Sequence, residues 1–222
     1  IFFNHIKKTP ADLIIIAGDL INFDSFSRFL TYQKISTDNE IEKARLFCNK
    51  LLKHCKKIIY IKSNHELRLE KFLIRELGTD KANELFNLGL SLKNFFSSEK
   101  LLVVNNWFIQ IGDCVIAHPE IQSIVRARPI DWTIQFFETK IKNFNCVVIA
   151  HTHKLNRIFR RNKLGIETGC FAKIQDYILE GNFTAYREEP QYLGFTQLKL
   201  KNGKTLVNET LPILIKVEDP IF

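Results

Sequence analysis

Four short apolar runs, each ending on a polar cluster, constrain this chain more than any other feature of its sequence. The first run, residues 12–18, reads D-L-I-I-I-A-G and leads into Asp19. The second run, residues 58–61, leads into Ser63-Asn64-His65-Glu66, and the two later runs lead into His118 and His151-Thr152-His153. A continuous apolar run of this length is typical of a strand buried on both faces, as in a parallel sheet. We therefore expect a sheet whose strand ends collect these polar side chains.

Helical patterns separate the apolar runs. Apolar residues along one stripe predict a helix over residues 40–54, capped by Asp38. The segment 67–90 has a helical pattern interrupted near Gly78, and another helix is predicted over 131–142. Helices that alternate with strands are typical of a sheet with parallel neighbours. The pattern alone therefore predicts a mixed α/β fold.

Short strands dominate the second half of the chain. The predicted ranges are 101–104, 107–111, 113–118, 145–150, 156–160, 163–168, 193–200 and 204–215. Asn202-Gly203 lies between the last two ranges and is a strong signal for a hairpin turn. With no repeat, linker or low-complexity tract, we expect one domain over residues 1–222.

Composition bounds the class of protein. Apolar residues make up 45% and charged residues 25% of the chain, an ordinary globular balance, and no run approaches the length of a membrane helix. No signal peptide is recognisable, so we expect a soluble, cytoplasmic protein without a membrane partner. Five cysteines without a C-x-x-C pair predict reduced thiols. The chain begins at Ile1 and contains no methionine, which predicts that the natural start lies upstream.

The charge balance permits a polyanionic partner but does not identify one. Lysine and arginine number 32 against 24 aspartate and glutamate residues, a net charge of +8 spread along the chain. Nucleic acid and nucleotides therefore stay open as partners. Trp107 and Trp132 are predicted to be core or interface aromatics rather than platforms for base stacking, because no regular basic and aromatic alternation surrounds them. The sequence does not predict an oligomeric state.

The polar clusters have the chemistry of metal ligands. Four of the six histidines lie in them, directly after apolar runs. Divalent ions bind neutral imidazole, carboxylate and amide oxygen, and a carboxylate such as Asp19 can bridge two ions. His151 and His153 would point to opposite sides of a strand, but they can address neighbouring ions once the chain turns. Taken singly, each histidine is compatible with an ordinary hydrogen-bonded side chain.

The order of the clusters is more specific than any one of them. G-D, N-H-E, a lone histidine and H-x-H follow one another at strand ends between Asp12 and Pro212. This order resembles the signature of the calcineurin-like metallophosphoesterase superfamily. The run from Gly18-Asp19 to Arg28-Phe29 is similar to a phage and bacterial subgroup, as are Glu167-Thr168-Gly169-Cys170 and Leu193-Gly194-Phe195.

The resemblance implies a metallophosphoesterase-type sandwich of two mixed β-sheets flanked by helices. Its first strand would be absent here, because nothing upstream of Asp19 supplies the N-terminal D-x-H motif and its two metal ligands. Ser63 and Ala150 stand where the family has glycine. Both are small, so we expect them to be tolerated provided that their φ angles are negative.

The resemblance also implies roles for individual residues. Asp19 would bridge two divalent metal ions, manganese being preferred and iron, zinc, nickel or magnesium remaining open. Asn64, His118 and His151 would complete the second metal site, and His153 would reach the first. His65 would be the general acid, and Glu66 would orient it by accepting its other ring proton. Apart from the resemblance, Arg28 is a candidate phosphate contact, with an exposed or salt-bridged arginine as the alternative that stays open.

The function implied is hydrolysis of a phosphate ester, with a phosphodiester as the expected substrate. Two alternatives stay open. The chain could be a catalytically impaired relative that binds a partner or nucleic acid, as the missing D-x-H motif would produce. It could also be a phosphomonoesterase or pyrophosphatase of the same fold, since the motifs do not separate these substrates.

Overall fold

The computed structural model of the protein describes residues 2–27, 35–96, 98–171 and 192–215. It has the predicted mixed α/β class, with several sheets and helices. The chain divides into two compact units, unit 1 over Ile1–Trp107 and unit 2 over Phe108–Phe222. The single domain expected over residues 1–222 stays a prediction. No helix within the described ranges is both long and apolar enough to cross a membrane.

Unit 1 contains a three-stranded sheet in the order β1-β2-β3. Its strands are β1 (Ala11–Ala17), β2 (Cys55–Ile61) and β3 (Leu101–Val104), and both pairings are parallel. Ala17 pairs with Ile61, so β1 and β2 end side by side. The described strands of this sheet are therefore all parallel.

Along the chain, helices lie before and between the strands of unit 1. They are α1 (Phe2–Lys8), α2 (Thr37–Leu51), α3 (Leu67–Leu77), α4 (Thr79–Asn87) and α5 (Leu92–Phe95), with a 3₁₀ turn at Asp24–Phe26. Ser36, rather than the predicted Asp38, caps α2 by accepting a hydrogen bond from the Asn39 amide. The predicted interruption at Gly78 is confirmed: its φ of 80° ends α3 before α4 begins.

The core of unit 1 lies between the sheet and these helices. Ile58 and Tyr60 of β2 are fully buried, and Leu51 and Cys48 of α2 belong to the same apolar cluster. Burial raises the pKa of the Cys48 thiol to about 12. None of the five cysteines forms a disulfide, in agreement with the prediction of reduced thiols.

Unit 2 contains a five-stranded mixed sheet in the order β4-β5-β6-β8-β7. Its strands are β4 (Phe108–Ile111), β5 (Cys114–Ala117), β6 (Cys146–Ile149), β7 (Leu155–Arg160) and β8 (Lys163–Thr168). The three central strands β5, β6 and β8 are parallel, whereas β4 and β7 pair antiparallel at the edges. Helix α6 (Arg128–Lys140) connects β5 to β6.

Helix α6 packs closely on β8. Ile130, Ile134 and Phe137 are fully buried along its inner face. A Cβ on Gly165 of β8 would lie 2.7 Å from Cγ1 of Ile130, so this position requires glycine. The fully buried apolar contacts of α6 are therefore made by residues on its inner face.

The C-terminal strands of unit 2 are shorter than predicted. The structure has β9 (Gly194–Gln197) paired with β12 (Leu211–Leu214), β10 (Leu200–Lys201) paired with β11 (Lys204–Thr205), and a 3₁₀ turn at Val207–Glu209. The predicted hairpin turn is confirmed, since Asn202 and Gly203 have φ angles of 52° and 73° between β10 and β11. The predicted long strands 193–200 and 204–215 are wrong in extent, because this tight hairpin interrupts the β9–β12 pairing.

Candidate functional site

A buried carboxylate organises the strand ends of unit 1. Glu66 is 1% exposed and accepts hydrogen bonds from five residues. The donors to one or other oxygen are the amides of Asp19 (3.3 Å), Leu20 (2.9 Å), Ile21 (3.2 Å) and Ser63 (2.9 Å), the hydroxyl of Ser63, and the hydroxyl of Tyr60 (2.6 Å). Glu66 therefore ties the turn after β1 to the turn after β2.

This role differs from the one expected for Glu66. The expectation was that Glu66 would accept a proton from the His65 ring, but its oxygens are occupied by backbone and hydroxyl donors. The reason is that Glu66 points inward toward Tyr60, which is fully buried. Burial and the neighbouring carboxylate raise the pKa of the Tyr60 hydroxyl, which keeps it protonated as a donor.

Asp19 is held in a defined conformation at the end of β1. Its φ of 56° lies in the left-handed region, which residues other than glycine rarely adopt. The Ser63 hydroxyl lies 2.6 Å from the Asp19 carboxylate and is placed to donate to it. Ser63 itself does not have a positive φ, so the condition for a residue other than glycine here is met. The side chain that replaces glycine thus positions a predicted metal ligand.

The His65 ring is oriented by residues that the sequence did not single out for this purpose. Its Nδ1 contacts Oδ1 of Asn22, and its Nε2 lies 3.3 Å from Nη2 of Arg68. Because a guanidinium can only donate, Nε2 accepts and Nδ1 carries the ring proton toward Asn22. Arg68 also donates to the Asn22 carbonyl at 2.8 Å and lies 3.7 Å from Asp24. The helical spacing of three residues between His65 and Arg68 is the signal that could have found this pair.

Asn64 and Arg28 are the two other residues of unit 1 that were predicted to belong to the site. Asn64 is half-buried between Ser63 and His65, at the end of β2. Arg28, the expected phosphate contact, lies outside the described residues.

Two histidines of unit 2 meet at the ends of neighbouring parallel strands. His118 follows β5 and His151 follows shortly after β6, whose last residues pair as Ala117 with Ile149. Nε2 of His118 lies 3.1 Å from Nδ1 of His151, and His118 is only 2% exposed. Two nitrogens that each lie about 2.0–2.1 Å from one cation are separated by roughly 2.8–3.4 Å at octahedral to tetrahedral angles. The pair therefore fits a shared divalent cation.

The H-x-H segment turns instead of continuing β6. His151 and His153 have φ angles of 77° and 55°, both in the left-handed region. The chain therefore turns at these histidines, and Ala150 before them does not have a positive φ. Backbone conformations of this kind typically cost about 1–3 kcal/mol each and are concentrated at binding sites. Two predicted ligands thus have backbone conformations that residues other than glycine rarely adopt.

A second buried carboxylate lies near the end of β8. Glu167 is fully buried, and its Oε2 accepts a hydrogen bond from Nδ2 of Asn156 at 2.6 Å. Within the described ranges, Oε1 of Glu167 has no hydrogen-bond partner. The sequence marked Glu167 only as part of a subgroup motif and gave it no role.

Comparisons with known proteins give no family for the chain. No family model matches it, and no curated protein matches it. Among solved structures, it is similar to wild-type Vps29 from Entamoeba histolytica complexed with Zn²⁺, at 12% identity and a TM-score of 0.37 over 91% of this chain and 97% of that one. It is also similar to a Thermotoga maritima protein solved by NMR, at 10% identity, with a TM-score of 0.38 and coverage of 92% and 98%.

A third similar structure is that of a novel archaeal phosphodiesterase. Its identity to this chain is 16%, its TM-score is 0.36, and the match covers 91% of this chain and 99% of that one. At this level of similarity, no residue of the chain can be equated with a residue of these proteins.

Proposed function

We propose that the protein is a metal-dependent hydrolase of phosphate esters. The observation that carries the proposal is the contact between His118 and His151, whose ring nitrogens lie 3.1 Å apart at the ends of two parallel strands. This separation allows both nitrogens to bind a single cation, and without a cation it is a hydrogen-bond distance. The left-handed turn at His151 and His153 supports the same reading.

The ligand set is proposed from the order of the sequence motifs. His118, His151 and His153 offer imidazole nitrogens, Asp19 offers a carboxylate and Asn64 an amide oxygen. We propose that this set serves two divalent ions, with manganese as the first choice and zinc, iron, nickel or magnesium as alternatives. When bound, such ions polarise a phosphoryl group and neutralise its charge.

His65 is proposed as the general acid. Asn22 holds the ring proton at Nδ1, so Nε2 is the nitrogen through which a second proton would be gained and passed on. Arg68 beside Nε2 carries a permanent positive charge that suits an anionic phosphoryl oxygen. Glu66 contributes indirectly, because it fixes the two turns that carry Asp19 and His65.

A phosphodiester is the proposed substrate class. The proposal rests on the similarity of the Gly18-Asp19 run to a phage and bacterial subgroup and on the net charge of +8. The alternatives are a phosphomonoester or a pyrophosphate. Comparison of the three substrate types separates them directly.

The test combines metal binding with turnover. We expect manganese to bind, as measured by titration calorimetry, and to support hydrolysis of bis-p-nitrophenyl phosphate. His118→Ala should abolish both. His54→Ala is the matched control and should change neither, because His54 follows α2 and packs its ring against Phe3.

Two results would contradict the proposal in different ways. Absence of binding by any divalent ion would remove the metal centre. Tight binding of manganese without turnover of any phosphate ester would leave the catalytically impaired binding protein as the better description.

A further inference from the structure

The outer face of α6 carries two exposed aromatic rings between two cations. Arg128, Trp132, Phe136 and Lys140 follow one another at intervals of four residues, which places them in one line on the helix surface. We call these four residues the α6 row. Trp132 is 43% exposed and Phe136 is 42% exposed.

The rings of the α6 row are not needed to pack the helix. Ile130, Ile134 and Phe137 already bury the inner face of α6 completely. Single exposed apolar residues are ordinary, but two large aromatic rings one helical turn apart form a patch. Trp132 is therefore not a core residue. The helix brings Arg128 and Lys140 into line with the two rings, a basic and aromatic alternation that was not recognised in the sequence and that revises the prediction against base stacking.

The charges around the row favour an anionic partner. The Arg128 guanidinium carbon lies 5.6 Å from the Trp132 ring, and Nζ of Lys140 lies 6.0 Å from the Phe136 ring. The two carboxylates of α6 form ion pairs with arginines at the end of β7 and in the following turn. These pairs are Asp131 with Arg160 (3.6 Å) and Glu138 with Arg161 (3.5 Å). The rings thus lie in a surface with an excess of positive charge.

We propose that the α6 row binds single-stranded nucleic acid. Bases would stack on Trp132 and Phe136 while phosphates pair with Arg128 and Lys140, the combination used where strands are bound without sequence preference. A second copy of this chain fits less well, because it would bring another molecule of net charge +8 against the same cations. This function is independent of the proposed hydrolysis, since no residue of the row is a proposed metal ligand.

The first experiment measures binding of a labelled oligothymidylate by fluorescence anisotropy. EDTA is present throughout, so that failure of the proposed metal centre cannot affect the result. We expect the double variant Trp132→Ala, Phe136→Ala to bind roughly tenfold or more weakly, because stacking is worth about 1–3 kcal/mol per base. Oligouridylate is measured in parallel to separate DNA from RNA as the source of the strand.

The matched control is Phe159→Ala. Phe159 is 56% exposed in β7 and lies under Arg157, whose guanidinium carbon is 5.4 Å from the ring. Like Trp132, it is an exposed aromatic ring beside an arginine guanidinium, but it lies outside the α6 row. Its removal should therefore leave the affinity for the oligonucleotide unchanged. Thermal unfolding of all variants checks that their folds are intact.

A second measurement reports on contact with the ring itself. The chain has two tryptophans, so Trp107→Phe leaves Trp132 as the sole tryptophan fluorophore. Its emission should be quenched when the oligonucleotide binds. In addition, Arg128→Ala and Lys140→Ala should each reduce the slope of log affinity against log salt by about 0.7 for each phosphate contact removed.

Three results would overturn the proposal. One is equal affinity of the wild type and the double variant. Another is unchanged emission of Trp132 in the bound complex. The third is self-association, detected by sedimentation and abolished by the double variant, without oligonucleotide binding, which would identify a second copy as the occupant.

Discussion

Glu66 in unit 1 and Glu167 in unit 2, the two most deeply buried carboxylates among the described residues, have opposite surroundings. Glu66 is 1% exposed and accepts hydrogen bonds from five residues, whereas fully buried Glu167 accepts one from Asn156 and leaves Oε1 without a partner among the described residues. Burial of a carboxylate is costly unless hydrogen bonds replace water. Glu66 is therefore a structural clamp, whereas Glu167 makes fewer hydrogen bonds with the described residues.

The largest effect is expected from removal of the clamp. Glu66→Ala would leave several buried donors without a partner, each at a cost of about 1–3 kcal/mol, so we expect a loss of roughly 3–5 kcal/mol in the free energy of unfolding. Urea unfolding measures it. The control is Glu76→Ala, an exposed glutamate paired with Arg75, which should change stability by less than about 0.5 kcal/mol. A similarly small change for Glu66→Ala would show that Glu66 is not a structural clamp.

A smaller effect is expected from removal of one donor to the clamp. Tyr60→Phe deletes the hydroxyl that donates to Glu66 at 2.6 Å and keeps the buried ring. Hydrogen bonds to charged groups contribute about 1.5–3 kcal/mol, so the free energy of unfolding should fall by that amount. In the Glu66→Gln background the same substitution should cost less, because the acceptor is neutral. Equal costs in both backgrounds would contradict this prediction.

Substitution of Glu167 should change the free energy of unfolding much less than substitution of Glu66. In Glu167→Gln the side-chain carbonyl can still accept from Asn156, while a buried carboxylate with an unpartnered oxygen is removed. We expect the free energy of unfolding to change by less than about 1 kcal/mol, or to rise. A loss above about 2 kcal/mol in urea unfolding would show that the charge of Glu167 is stabilised, and the contrast with Glu66 would disappear.

The smallest effect on stability is expected from Asp113, a partly exposed carboxylate, and only at acidic pH. Burial is the largest single influence and by itself would raise the pKa of Asp113, but hydrogen bonds from Thr205 and Asn145 together lower it below its ordinary 3.8. The stabilisation is therefore fully present above about pH 3.8 and is lost as the pH falls through the folded pKa. Urea unfolding at several pH values should show this loss in the wild type and less of it in Asp113→Asn. Parallel pH dependence of the two proteins would contradict the assignment.

The sequence predicted the strands better than the contacts between them. The apolar runs located β1, β2, β5 and β6 within a few residues, because a buried parallel strand must be apolar along its whole length. Gly78 and Asn202-Gly203 were found because glycine and asparagine tolerate a positive φ. These features depend on a few neighbouring residues only.

The surroundings of the candidate site could not be predicted in the same way. Glu66 accepts from Leu20, which is 46 positions away, and this contact exists only because β1 and β2 pair in one register. Asn22 likewise meets His65 across 43 positions. Residue types show that such groups can form hydrogen bonds, but only the pairing of the strands decides which partner each one finds.

The hydrogen bonds between Asp113 and Thr205 also bear on how the chain folds. They join positions 92 residues apart, and at the same place a Cβ on Gly112 would clash with the carbonyl of Gly203. Contacts between distant positions form slowly, because a long loop must close before they contribute any stabilisation. On the ribosome, unit 2 therefore cannot complete this junction until Thr205 has left the exit tunnel. Most of the unit has then been synthesised, and only then can the turn between β4 and β5 contact Gly203 and Thr205.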